Sequence, residues 1–546
     1  MSLGSVGQVL GAVNAVVSFV KGRPSLGQVA LALAGGIQIA QALTGTSAPP
    51  VQGNTTAVQI GANMPSPQLL GEAYYGGNRV AQIGYGTDQG VPNAHLLLVD
   101  VFSVGGPLQG LVQQLTDFTP VTFSGTNANG YFHNFLYSDT QLGATPEASA
   151  LAPFWTADLT GWGAAYKLSG KAAILWNAKW PKDGKIYASG FPQTGAIWQG
   201  VLCYDPRLDS TYPGGSGPHR WADPKDKAAF AAAKATWTYS RCPGLQGLRY
   251  ALGTWERDET NPDAEYRKVF GIGGSIDQIT VADFVELANV CDANGWTVNG
   301  VIFEPGDKWA NLKRILAAGG AEPAFDRARL GLKINAPRVS LDTITMADIG
   351  EGEPIVPGTR PYSDRKNTLT PYFISKDHKW QSQPSAPVQV TEWVTMDGGE
   401  KGEDWPFDLV QGGTEAADQA AQLTGYELFN RREQGPISLP LLPRMRGYKA
   451  GVQLSVDAEV QAYFGIQQPD LIVINPSVDL DAMQWTFGFV TETAAKHSFA
   501  LGLTGTSPPA TTIVPPSVID GAAGGATTFD ETGVTFDSSS ITWDRT

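Results

Sequence analysis

The sequence predicts a multidomain α+β protein, mainly antiparallel β-barrel or β-sandwich domains with short helices and an N-terminal helical hairpin. Three observations carry this expectation. Gly 64 and Pro 37, with only 16% charged residues in 546, mark many turns and short strands. The run His95–Phe102 (HLLLVDVF) is almost continuously apolar, as a strand buried on both faces would be. Helical periodicity is confined to a few short, separate blocks, which favours α+β modules over a regular βαβ repeat. The length fits several domains at roughly 150 residues each. Trp 15, Tyr 17 and Phe 22 provide apolar mass for several cores.

In chain order, residues 1–48 form the first expected unit. Its first charged side chain is Lys21, and after Arg23 the next is Glu72. Two apolar stretches, Val6–Val20 and Ser25–Leu43, flank the turn Lys21–Pro24. Gly7 with Gly11 and Ala30 with Ala34 have the small-residue spacing that lets helices approach closely. The first stretch is short for a membrane span, and no Lys or Arg precedes it as in a signal peptide. The segment reads as a helical hairpin that packs on its own domain or bundles with other copies; contact with a host membrane is a third option. Ser47–Gly61 has linker composition.

Residues 62–240 read as a β-rich domain with an inserted subdomain at about 125–200. Gly105-Gly106-Pro107 turns the chain after the strong strand, and Val121–Phe123 returns as a hairpin partner. Tyr166–Trp176 reads as a strand pair, followed by strands at Ile186-Tyr187 and Val201–Tyr204. Lys225–Lys234 is an Ala-rich helix. Residues 241–335 read as an α+β domain. Thr280–Ala293 has an N-cap-like start with Asp283, and Trp309–Ala318 places Leu312, Ile315 and Leu316 on one face. Residues 336–503 read as a second β-rich domain with a helix at 414–432. Residues 504–546 are a Pro/Gly/Thr/Ser linker ending in a repeat of period seven: Thr528-Phe529-Asp530, Thr535-Phe536-Asp537, Thr542-Trp543-Asp544.

A net charge of −14 without a basic cluster argues against stable nucleic-acid binding, which needs grouped Lys and Arg. Cys203, Cys242 and Cys291 are odd in number and lack CxxC spacing, so neither a disulfide framework nor a zinc site is expected. The five histidines form no metal-ligand motif. Gly271–Gly274 (GIGG) is a turn, since no helix opening or acidic strand follows it. A cysteine nucleophile needs a helix start and a histidine base, which Cys203 and Cys291 do not offer. Glu256, Glu304 and Asp307 form no carboxylate pair that sequence can recognise. No catalytic, cofactor-binding or metal-binding residue is therefore expected, no cofactor is expected, and the chain is read as not an enzyme.

One ordered set of motifs goes further. Tyr204-Asp205-Pro206-Arg207 is followed by Pro213–Arg220 (PGGSGPHR), Asp223-Pro224 and Thr236–Leu245 (TWTYSRCPGL). Ile279–Asp292, Thr297–Gly300, Asn311–Leu316, Ser363–Thr368 and Gly412–Arg432 continue in order, and Met64–Gly86 with Tyr74-Tyr75-Gly76 precedes them. This order resembles the tip attachment protein family of lambda-type phage tails, whose relatives are hubs of other siphophages and of gene transfer agents. The resemblance spans about residues 64–460 and rests on the order, since each motif alone is weak. It implies a homotrimeric ring at the distal end of a virion tail, made in the host cytoplasm. It implies contacts with a distal tail or tail tube protein and a tape measure protein, and DNA that passes without stable binding. Family members often continue into long receptor-binding regions. Here the short repeat reads instead as a docking point for a separate receptor-binding or fibre protein.

On residue type alone, Arg207 anchors the loop through Asp205 or Asp209, and Pro213–Gly217 is a flexible loop. The alternative function is a secreted carbohydrate-binding or carbohydrate-active β-protein. Trp155, Trp162, Trp176, Trp180 and Trp198 would form its sugar platform.

Overall fold

The strand Val91–Val104 is the spine of a seven-stranded sheet and is buried almost throughout from Leu97 onward. We describe it in a computed structural model, for residues 55–60, 64–258, 261, 264–326, 329–358, 361–362, 364–479 and 484–524. The expected N-terminal hairpin and the Thr-aromatic-Asp repeats lie outside these residues. The sheet order is Gln59–Ile60, Asn78–Asp88, Val91–Val104, Lys171–Lys179, Leu136–Leu142, Asn127–Ala128, Phe123–Ser124. All pairings are antiparallel except the first. On one face Tyr85, Leu97, Val99, Val101, Ala173 and Leu175 form a core with Leu151. Trp155, Leu159, Trp162 and Leu168 pack against that core, so this irregular segment covers the sheet. It follows that Tyr166–Gly170 is cover and turn rather than strand, and only Lys171–Lys179 is extended. Ile186-Tyr187 is likewise a turn.

The opposite face carries Phe102, whose ring lies 5.3 Å from that of Trp198 in a second sheet. This five-stranded sheet pairs Thr194–Cys203 with Leu108–Thr116, Glu72–Tyr75 and Thr238–Tyr239, and Leu108–Thr116 with Thr119–Val121. The expected hairpin at Val121 thus forms with Leu108–Thr116. The two sheets make a sandwich whose fully buried side chains include Trp176 and Trp198. Asp100 is buried between them; its carboxylate accepts from Arg79 Nε at 2.9 Å and from Thr194 Oγ1 at 3.1 Å. Burial raises the Asp100 pKa, and the Arg79 guanidinium pulls it back.

Nine helices are described: α1 Lys227–Lys234, α2 Pro243–Leu252, α3 Val281–Asn294, α4 Lys308–Ala317, α5 Thr391–Met396, α6 Thr414–Asn430, α7 Ala458–Phe464, α8 Ala495–Leu501 and α9 Pro516–Gly524. The expected helices correspond to α1, α3, α4 and α6. At the start of α3 Thr280 occupies the N-cap but makes no side-chain cap bond. Asp283 instead accepts from Leu332 N at 3.1 Å and Lys449 Nζ at 2.5 Å, tying α3 to later chain. Helix α2 is buried along its whole length against α3 and α4. A Cβ at Gly244 would stand 2.7 Å from Phe284 O, and one at Gly247 2.8 Å from Leu316 Cδ2, so both glycines permit the helices to touch.

The remaining sheets are open as well, and none of the described sheets closes into a barrel. Ser66–Leu70 pairs with Gly300–Glu304, joining the first β region to the helical one. Thr343–Ile344, Gln453–Val456, Asp470–Asp479, Gln484–Thr491 and Ile437–Leu441 form a five-stranded sheet over a core that includes Phe487, Phe489 and Leu454. Thr368–Ser375 pairs in parallel with Gly402–Gly412 and antiparallel with Gln381–Pro384 and Val388–Gln389, with α6 packed on it. Beside the five-stranded sheet, Arg444 clamps Asp348 through Nε at 2.7 Å and Nη2 at 2.8 Å. These bonds hold the Asp348 carboxyl at about 2, below its ordinary 3.8. A carboxylate with a depressed folded pKa adds stability above its unfolded pKa and loses it as pH falls toward the folded value. In Arg444→Gln the Asp348 carboxyl should titrate back toward 3.8 by NMR, and acid loosening of this sheet should begin at higher pH.

Candidate functional site

The Tyr204–Arg220 loop leaves the strand Thr194–Cys203 at the edge of the sandwich. Asp205 precedes a proline, which holds it extended, and its Oδ1 accepts from Arg207 N at 2.9 Å to cap the short turn Pro206–Leu208. The Arg207 guanidinium folds back, donating from Nε to Asp205 Oδ1 at 3.0 Å and from Nη2 to Oδ2 at 2.9 Å. Its Nη1 crosses to α3, reaching Asp292 Oδ2 at 2.6 Å and Asn289 Oδ1 at 3.0 Å. The Asp205 bond is the expected anchor. Asp209 serves others: Tyr204 Oη at 2.8 Å, Thr211 N at 2.8 Å and Arg220 Nη1 at 3.2 Å donate to it.

His219 completes the loop. Its Nδ1 accepts from Asp205 N at 3.0 Å, so the proton sits on Nε2, which faces Thr238 Oγ1 at 3.3 Å. Burial lowers the His219 pKa, in keeping with a neutral ring. The Gly/Ser segment is pinned rather than flexible. Ser216 N donates to Arg207 O at 2.9 Å, Gly215 N to Tyr212 O at 2.9 Å and His219 N to Leu208 O at 2.9 Å. This constellation holds an edge loop against α3; its donors and acceptors are used on each other.

Cys203 ends a strand and Cys291 lies late in α3, as the sequence reading places them. Cys242 was not foreseen at a helix start, because α2 was not foreseen; it is the α2 N-cap. Its pKa is lowered, first by the Cys291 thiol, against the opposing effect of burial. All three thiols are buried. Glu304 accepts from Tyr250 Oη at 3.1 Å and Gly271 N at 2.9 Å. Asp307 caps α4 through Trp309 N at 2.9 Å, and Glu256 accepts from Gly105 N at 2.9 Å. Each carboxylate thus holds a different stretch of backbone.

The tryptophans do not form a sugar platform. Trp176 and Trp198 are 0% exposed in the sandwich core. Trp155 stacks on His95 at 4.9 Å and Trp162 on Tyr166 at 5.3 Å within the segment that covers the first sheet, while Trp180 meets Tyr187 at 4.9 Å. Among the described residues no cluster of three His, Cys, Asp or Glu side chains is placed to hold a metal ion. No described helix is long and apolar enough to cross a membrane.

A contact that sequence gave no sign of joins the late chain to the first sandwich. Asp520, buried on α9, accepts from Ser189 Oγ at 2.6 Å, Ser189 N at 2.9 Å, Tyr187 N at 2.9 Å and Tyr131 Oη at 2.8 Å. These donors hold its carboxyl below the usual range despite burial. Asp520→Ala should release α9, at a cost of roughly 1.5–3 kcal/mol expected for hydrogen bonds to a charged group. Faster amide exchange confined to 187–189 and 516–524 would register it.

No protein-family model matches the chain, and no curated protein matches it in sequence. Among solved structures, its fold is similar to that of a chain in the virion of a native gene transfer agent particle, with a TM-score of 0.51 and 11% identity. The likeness covers 87% of this chain and 98% of the other, and it shows that the two share a fold across nearly their whole described architecture.

Proposed function

We propose that this chain is a structural hub protein of a phage tail tip, and not an enzyme. The observation that carries this reading is the fold shared with the gene transfer agent virion chain over most of both lengths. The motif order from Met64 to Arg432 supports it independently, since it resembles the tail-tip hub family. In this reading residues 62–240, 241–335 and 336–503 are the hub body, and three copies close into a ring at the distal end of the tail. The ring meets a distal tail or tail tube protein and the tape measure protein, and opens for genome delivery. A net charge of −14 keeps DNA moving past its surface rather than adhering to it. Residues 1–48 then face the ring axis or the host membrane, and residues 504–546 offer a docking point to a receptor-binding or fibre protein.

Immunogold labelling of intact virions tests the placement: label at the distal tail end is expected, and label confined to the head or neck would overturn it. Light scattering of the purified chain tests the ring. The expected mass is near three times that of the 58.0 kDa chain, and a monomer at micromolar concentration would count against it.

A further inference from the structure

Helices α6 and α8 touch so closely that a Cβ at Gly425 would stand 3.0 Å from Ala500 Cα. Where they meet, Lys496 on α8 is buried, a rare place for a lysine. Its Nζ donates to Glu492 Oε2 at 2.5 Å and to Oδ1 of Asn430, the last residue of α6, at 3.2 Å. The Asn430 amide is held in this orientation by its own Nδ2, which donates to Asn335 Oδ1 at 3.4 Å. Asn430 Cγ lies one C=O bond beyond Oδ1, hence within about 4.4 Å of the Lys496 nitrogen. The rings of Phe429 and Phe499, 5.2 Å apart, join the same two helices. An amine, a carboxamide carbon and a carboxylate are thus gathered where the two helices pack.

Burial pushes the Glu492 carboxyl up, but hydrogen bonds and charge from His497 and Lys496 outweigh it and hold the group below its ordinary value. Glu492 is therefore a carboxylate, able to take a proton from Lys496. His497 Nε2 stands 3.0 Å from its other oxygen, Oε1. Glu433 nearby is buried as well, but burial raises its carboxyl, and it is engaged by Thr491 Oγ1 at 2.6 Å and Thr493 N at 2.9 Å.

We propose that Lys496 and Asn430 join in an intramolecular isopeptide bond, with Glu492 as the proton carrier. Lys496 passes one proton to Glu492, and the freed lone pair forms the Nζ–Cγ bond while the carbonyl pair moves onto Oδ1. Collapse restores the carbonyl and breaks the Cγ–Nδ2 bond. Glu492 relays two protons in all from Nζ to the leaving nitrogen, which departs as ammonium. An alkylammonium and a carboxamide become a secondary amide and an ammonium ion, with no change of oxidation state and no co-reactant. Groups held in register reach effective molarities of roughly 10⁵–10⁸ M, which lets even a carboxamide act as acyl donor. The bond ties the two ends of a stretch that supplies Ile437–Leu441, Gln453–Val456, Asp470–Asp479 and Gln484–Thr491, four of the five strands over Phe487 and Phe489. Load on the chain could then not draw that sheet away from α6. The proposal stands without the hub reading.

Intact-mass spectrometry of the full chain, kept folded at neutral pH for days, tests it. Wild type should be lighter than its sequence by the mass of one ammonia, and digestion should yield a branched peptide joining Asn430 to Lys496. Lys496→Arg keeps the charge but has no amine to acylate, and should show the full mass. Glu492→Gln should form the bond roughly 100-fold more slowly, with amide exchange across α6 and α8 reporting that it folds. Full sequence mass in the wild type would overturn the proposal, and this measurement decides even where a variant fails to fold. So would an ammonia deficit without the branched peptide, the signature of a succinimide at asparagine. An unchanged rate in folded Glu492→Gln would overturn the role given to Glu492.

Discussion

Asp100→Ala should weaken the first sandwich by about 3–5 kcal/mol, because it strands a charge inside a packed interface. Asp100 is fully buried and Arg79 nearly so, their ion pair spanning 2.9 Å, and Thr194 brings the second sheet to the same carboxylate. Removing the acid leaves a largely desolvated guanidinium without its counter-charge. Because the chain has several cores, one melting curve does not isolate this effect. Amide exchange in Val91–Val104 and Lys171–Lys179 does. The double change Arg79→Met, Asp100→Leu should recover much of the loss, since an apolar pair replaces an ionic one without orphaning either group. A cost near zero for Asp100→Ala would mean that the sandwich does not depend on this pair.

Trp198→Ala should be comparably damaging, at about 3–5 kcal/mol. Trp198 is 0% exposed and sits at the register where Thr194–Cys203 contacts both Ala73 and Leu111, with Phe102 against its ring. Truncation opens a void where two sheets meet, and rigid ladders on both sides limit collapse. Trp198→Phe should retain most of the stability. The same amide-exchange readout separates the two variants.

Much of the architecture was legible wherever local chemistry alone dictates it. The run at Leu96–Phe102 had to be a buried strand, and α6 announces itself through its alanines. Helix α2 was not legible, because Gly244 and Gly247 read as breakers until α3 and α4 supply the close contacts that require them. The segment Leu151–Leu168 has strand-like apolar content but no period, since it covers a sheet instead of joining one. The pairing of Thr368–Ser375 with Gly402–Gly412 was likewise invisible, because no local signal names a strand's distant partner. The YDPR anchor was read correctly at Asp205 and missed at Asp292, which only the fold brings near.

The Asp520 contact has a consequence for biogenesis. Its donors at Tyr131, Tyr187 and Ser189 leave the ribosome more than three hundred residues before their acceptor, so the first sandwich must wait with those groups hydrated until α9 is made. Closure of this contact is therefore a timestamp of translation. A nascent chain stalled before residue 520 presents the same surface open, which distinguishes a finished subunit from an unfinished one at a single carboxylate.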